Sequence, residues 1–245
     1  MQAQMYVPPL SKTNKYIIIA HVAMFLLNSI LKVSSGVSLA GVLGLSLNGL
    51  GNGLVFQFAS FPFIEVSFMS ALFNSLLVWF IGGDLEARWG QRFYLKFLAI
   101  SALSSGIVYL LVSLVAGGAF QYVPLQGLGG IVFALLIAYG IIFSERQLTF
   151  MLLFPMKAKY FCMLLAGIEL YIGLFSAHGK ASWAHLSAGA AGFAYLKWKS
   201  MRAKGQGFKD LMGSKAPKRK GRGKLRIVRD EEPAKADPKN PKYWQ

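Results

Sequence analysis

The chain is predicted to be an all-α membrane protein: a bundle of six transmembrane helices with a re-entrant first outer loop and a disordered basic tail. Residues 1–196 form the membrane domain and 197–245 the cytoplasmic tail. Three observations predict this. The 245 residues are 55% hydrophobic and only 15% charged, with a mean hydropathy of +0.47, a balance that excludes an ordinary soluble domain. Six windows approach the roughly 20 apolar residues that an α-helix needs to cross about 30 Å of hydrocarbon. Finally, Lys and Arg collect between alternate windows, as cytoplasmic loops require.

The first window, Tyr16 to Leu31, is followed by Lys32 and closes on no Ala-x-Ala-like site, so it reads as a retained span and not a cleaved signal. The stretch from about Lys32 to Ser60 is rich in Leu and Gly (Gly41, Gly44, Gly49, Gly51, Gly53), with Phe56 and Phe58 near its end. It is too apolar for a solvated loop. It reads as a re-entrant or interfacial segment, which a bilayer tolerates only where protein or water satisfies the backbone; a loose loop with one amphipathic turn is the alternative. The second window runs from Phe61 to Gly82, with Pro62 at its start and Asn74 in its middle. The third, Phe93 to Val115, holds Ser104-Ser105-Gly106, and the fourth, Gly127 to Phe143, opens on Gly127-Leu128-Gly129-Gly130. The fifth, Tyr160 to Phe175, contains Cys162 and Glu169; the sixth, Ser182 to Leu196, contains His185. The fourth and sixth are short, which suits helices buried among others.

Charge placement gives the orientation. With the N-terminus inside, the inner segments hold Lys12 and Lys15, then Arg88, Arg92 and Lys96, then Arg146, Lys157 and Lys159, then the tail, while the outer segments hold only Lys32 and Lys180. An odd number of spans breaks this alternation. A bacterial inner membrane with both termini cytoplasmic is the location this predicts.

The tail carries 16 of the 26 Lys and Arg residues against 5 of the 10 acidic ones, so most of the net charge of +16 lies there. Lys215 to Lys224 has no apolar face, and Pro217, Gly221 and Gly223 oppose a helix. A basic run beside a last span binds anionic lipid headgroups at about 1 kcal/mol per cation. No stacking platform accompanies it, so specific nucleic-acid binding is not expected. Leu225 to Val228 and Pro241 to Gln245 read as a short anchoring motif for an unnamed partner.

One cysteine, Cys162, excludes an internal disulfide. His21, His178 and His185 have no ligand-spaced companions, so neither a metal nor another cofactor is expected. Taken singly, Asn74 is ordinary interhelical glue, and Gly130 and Ala134 with Ala188 and Gly192 form small-x-x-x-small patterns that let helices approach closely.

Taken together, these motifs resemble the rhomboid family of intramembrane serine proteases over about Phe56 to Leu196. The aromatic-Pro lead-in, Asn74, the Glu86-x-x-x-Gly90 pair, the Gly127-Leu128-Gly129-Gly130 run and His185 with Ala188 and Gly192 occur in that family's order. The resemblance implies a serine at position 129 activated by His185, with Asn74, the residue at position 70 and the backbone of Gly127 and Leu128 binding substrate and oxyanion. It assigns Glu86, Gly90, Gly130, Ala188 and Gly192 structural roles. Two positions depart: Gly129 stands where the nucleophile belongs, and Ser70 where the family has a histidine. Triad chemistry needs a hydroxyl within hydrogen-bond reach of its base. The expectation is therefore a rhomboid-like pseudoprotease that binds transmembrane segments of membrane-protein clients without cutting them; the alternative is an active serine-type endopeptidase seen as an inactivated Ser-to-Gly variant. Ser104 and Ser105 lie on a different helix and lack the preceding glycine. A transporter or channel is the reading from another class. It requires repeats or mid-membrane charges, and the sequence offers only Glu169, an intramembrane carboxylate that is either functional or a hydrogen-bonded helix contact.

Overall fold

A computed structural model gives the fold for residues 10–150, 154–176 and 179–202. The basic run, the terminal anchoring motif and His178 lie outside the described residues. The chain divides into two units, Met1–Gly213 and Ser214–Gln245, and all described residues belong to the first. They are mostly helical.

Helix α1, Lys12–Ser35, starts at Ser11, whose hydroxyl accepts the Asn14 N–H at 3.2 Å, and stops at Gly36 with φ +68°. Three short helices follow: α2 (Ala40–Leu43), α3 (Leu47–Gly51) and α4 (Gln57–Ser60). A fully buried amide ties them together, since Gln57 accepts from the Ser46 N–H at 3.2 Å and donates to the Val42 carbonyl at 2.9 Å. Leu45 bridges to Leu125 through both backbone groups, which fixes the segment against the approach to α8.

The second apolar window does not become helical at Phe61. Phe61–Phe63 is a 3₁₀ turn holding Pro62, Ile64 is extended, and the helix begins at Phe68 because Ser67 caps it. It continues as α5 (Phe68–Leu77), a π-turn (Val78–Gly82) and α6 (Gly83–Trp89). The π-turn rotates the face that follows it. Gly82 there lets the Tyr94 hydroxyl, which donates to Asn14 Oδ1 at 2.7 Å, pass directly against the backbone.

Helix α7, Gln91–Ala116, leaves Gly90 with φ +80° and packs with α8 (Gly129–Ile142) and α10 (Lys180–Arg202). Ten of the 14 residues of α8 are buried, so this short helix is the centre of the bundle. Small residues make the approach possible: a methyl on Gly130 would meet Ser105 Oγ at 2.6 Å, and one on Gly192 would meet Phe97 at 2.8 Å. Ser104 and Ser187 exchange hydroxyl-to-carbonyl bonds of 3.1 and 3.3 Å between α7 and α10. Helix α10 has 23 residues, so the sixth window is not a short helix; Lys197 to Arg202 extend it. Helix α9, Ala158–Phe175, joins α8 through Cys162, whose thiol donates to the Leu136 carbonyl at 2.8 Å.

Between α8 and α9 an antiparallel hairpin, β1 (Gln147–Phe150) with β2 (Phe154–Lys157), occupies what the charge pattern marked only as an inner loop. Beside it Arg146 pairs with Asp84 at 2.6 Å, and the Tyr139 hydroxyl donates to the same carboxylate at 3.2 Å. Among the described residues four helices are long and apolar enough to cross a bilayer: α1, Phe68–Trp89, α7 and α9. The protein is an integral membrane protein of the all-α class.

Candidate functional site

With Ser67 as the cap of α5, Ser70, Asn74 and Leu77 fall at helical spacing on one face. That face, the floor formed by α8 and the facing side of α9 enclose a cleft of about 850 Å³, within the range of ligand sites. Its lining is chiefly apolar, including Phe73, Leu77, Val132, Phe133, Leu136, Leu165 and Ile168. Glu65, Asn74, Gln126, Glu169, Lys180 and His185 are the charged and amide groups that reach it.

His185, on α10, places Nδ1 3.0 Å from Glu169 Oε1 of α9, and both side chains are 22% exposed. The carboxylate at Nδ1 orients the ring. Nε2 faces α8: a methyl group on Gly129 would sit 2.7 Å from it. The first residue of α8 therefore has no room for a side chain while the ring keeps this position.

Glu65 lies in the extended segment before α5 and is 6% exposed. Oε1 accepts the Val66 N–H at 3.1 Å and Oε2 the Asn74 amide at 3.3 Å. Oε2 also lies against Gly127, where a methyl would approach to 2.6 Å. Gly127 has φ +89°, a conformation other residues rarely hold, and its N–H donates to the Phe61 carbonyl at 2.9 Å. The two glycines of Gly127-Leu128-Gly129 thus admit two side chains to the same turn, Glu65 beside the first and His185 beside the second.

The structure brings Ser70, Asn74, Gly127, Gly129 and His185 to one cleft or its edge, while Leu128 is buried and its carbonyl accepts the Val132 N–H at 2.8 Å. The other predicted residues lie elsewhere. Gly130, Ala188 and Gly192 sit in the α7, α8 and α10 packing. Glu86 accepts the Ser11 and Thr13 hydroxyls, each at 2.5 Å, and so fastens the start of α1. Gly90 is an open turn. Among the described residues, no cluster of His, Cys, Asp or Glu has the geometry of a metal site.

Glu65 was not foreseen as a site residue, because it belongs to no motif and is brought to the cleft by the extended link before α5. Its signal is an acid set between two apolar segments and just ahead of a Ser cap. The Glu169 partnership with His185 joins two helices, and no spacing rule predicts it.

Residues 15–218 match the family model described as Eukaryotic integral membrane protein (DUF1751). No curated protein matches the chain. The match corrects the resemblance to rhomboids: the family found over most of the chain is a different one. The physical reason the motif misled is visible at the glycine turn, where Gly127 and Gly129 make room for Glu65 and His185. The matched family is eukaryotic, which leaves the expected bacterial inner membrane without support.

Proposed function

The chain belongs to the Eukaryotic integral membrane protein (DUF1751) family, and we propose that within a membrane it binds apolar segments of other membrane proteins in the cleft between α5 and α9 without cleaving them. One observation carries this reading: the cleft sets a few polar groups among chiefly apolar walls, and Met69, Phe73 and Ile168 of its lining are 56%, 43% and 45% exposed. A lining of that kind favours an apolar partner over a polar one and is accessible from lipid. An unwound stretch of helix entering it exposes backbone groups that hydrocarbon cannot satisfy, and Asn74, Glu65 and His185 supply partners for them. Cleavage is left out because Nε2 of His185 faces a glycine, and nucleophilic acyl transfer needs a hydroxyl or thiol there.

The topology proposed with it has six crossings, both termini in the cytoplasm and residues 32–60 re-entrant. Support comes from the charge alternation, from α8 being sheathed by other helices so that its short length needs no lipid match, and from the internally bonded Gln57 segment. The cytoplasmic tail is proposed to contact anionic headgroups. Labelling of single cysteines in a Cys162→Ala background from each side of sealed vesicles tests the topology; an outside N-terminus would overturn it.

Binding is tested with a fluorescent apolar peptide of about 20 residues and the purified protein in phosphatidylcholine nanodiscs. The wild type should hold the peptide and return it intact by mass spectrometry, and Ser70→Trp, which fills the cleft from α5, should weaken binding by roughly tenfold, about 1.4 kcal/mol. Equal binding by both proteins, or a cut peptide, would refute the reading.

A further inference from the structure

Glu65 is a nearly buried carboxylate whose hydrogen-bond donors are neutral. The Val66 N–H and the Asn74 amide donate to it, and no Lys or Arg among the described residues lies within 4.0 Å of its oxygens. The other carboxylate of the cleft, Glu169, is already matched by His185 at 3.0 Å. Lys180 lies over the Tyr109 ring, 5.3 Å from its centre. Buried acids in membrane bundles are costly and are ordinarily paired. Glu65 has instead a set of neutral donors that orient it and a cavity that continues past it. Gly127, having no side chain, lets Oε2 pack directly against the turn, which helps to hold the carboxylate in place.

We propose that Glu65 is a receptor for a basic side chain, so that the occupants of the cleft are transmembrane segments carrying a Lys or Arg. This rests on the client-binding reading above and names its substrate class. A basic residue within a span is expensive to leave in hydrocarbon and cheap to place against a preoriented carboxylate. The apolar walls take the flanking residues, and Glu65 takes the charge. Glu169 is already engaged by the His185 Nδ1 contact at 3.0 Å, which leaves Glu65 as the carboxylate for the incoming charge.

The test uses the full chain in phosphatidylcholine nanodiscs and three apolar peptides that differ at one position: Lys, acetyl-lysine and Leu. The Lys peptide should bind about tenfold more tightly than the other two, since acetylation keeps the length and removes the charge. Glu65→Gln, which retains an acceptor for Asn74, should abolish the preference for the Lys peptide. Equal binding of all three peptides to the wild type would overturn this inference and leave the cleft reading standing. Binding of none would overturn both. Because the peptide series is read on the wild type, the outcome does not depend on how well Glu65→Gln folds.

Discussion

A single methyl group at position 129 tests the geometry of the glycine turn. In Gly129→Ala the new carbon would lie 2.7 Å from His185 Nε2 and 3.0 Å from Cε1, whereas such atoms rest about 3.5 Å apart. The ring must yield by about 0.8 Å. Retreat along its own axis drives Nδ1 into Glu169 Oε1, already at 3.0 Å. A swing into the cleft breaks that bond instead. Loss of a hydrogen bond to a charged group costs about 1.5–3 kcal/mol, and overpacking without rearrangement costs about 1–3 kcal/mol, so either route predicts a destabilisation of about 2 kcal/mol. For a domain of this size that is a fall in Tm of about 4–8 °C. Cys162, the one cysteine and only 5% exposed, provides the assay: a thiol-reactive fluorophore lights up as the bundle opens in detergent. The sign should reverse in a His185→Ala background, where the methyl meets no ring and an alanine suits the helix better than glycine by up to about 1 kcal/mol. A Gly129→Ala protein as stable as the wild type, with the same response in both backgrounds, would refute the proposed packing of the ring against the turn.

Three further substitutions separate backbone from side-chain causes. Gly127→Ala should lower stability by about 1–3 kcal/mol, and Glu65→Ala should restore only part of it, because the strain at φ +89° remains after the clash is removed; full restoration by thermal melts would show that the conformation costs nothing. Glu86→Ala should destabilise by about 2–3 kcal/mol by leaving the Ser11 and Thr13 hydroxyls without their acceptor, read as faster hydrogen exchange at the start of α1; unchanged exchange there would count against it. At the hairpin, hydrogen bonds from Lys157 and then Lys159 hold the Glu145 carboxyl down to about 2 from its ordinary value of 4.5. Its contribution is thus fully present above pH 4.5 and fades as pH falls toward 2. The melting difference between wild type and Glu145→Gln should be small, constant from pH 7 to pH 5 and shrinking below, as expected of an exposed bridge; a difference that grows on acidification would contradict the sign.

The helical scaffold was legible because hydrophobic length and charge alternation are global properties of each span, insensitive to any one contact. The windows around Phe93 to Val115 and Tyr160 to Phe175 lie within two residues of the helices found, Gln91–Ala116 and Ala158–Phe175. Boundaries failed where a local device decides them. Pro62 and the Ser67 cap delay the helix start to Phe68, and the π-turn at Val78–Gly82 answers to Tyr94 and Asn14 from other helices. The cleft was half legible. Asn74, Ser70 and His185 stood out as polar residues in apolar runs, but Glu65 reaches them through an extended link, and the role of Glu169 depends on how α9 and α10 sit together. The glycines were noticed for the chemistry they lack, while their packing function shows only once the side chains beside them are placed.

Two groups of hydrogen-bonded polar side chains in this bundle differ in where they sit, and the difference bears on where function lies. Asn14 with Tyr94, Glu86 with Ser11 and Thr13, and Asp84 with Arg146 and Tyr139 are joined by hydrogen bonds inside the fold. They hold helix ends and crossings, and each lies away from the cleft lining. Glu65, Asn74, Glu169 and His185 are arranged otherwise: they are bonded in two pairs, Asn74 to Glu65 and His185 to Glu169, and all four side chains line the cleft. A fold selected only for stability has little reason to keep such groups, since apolar replacements of similar volume are often neutral or better. Their retention beside a cavity, on a turn whose two glycines are required to accommodate them, is the physical argument that the cleft is built for an occupant.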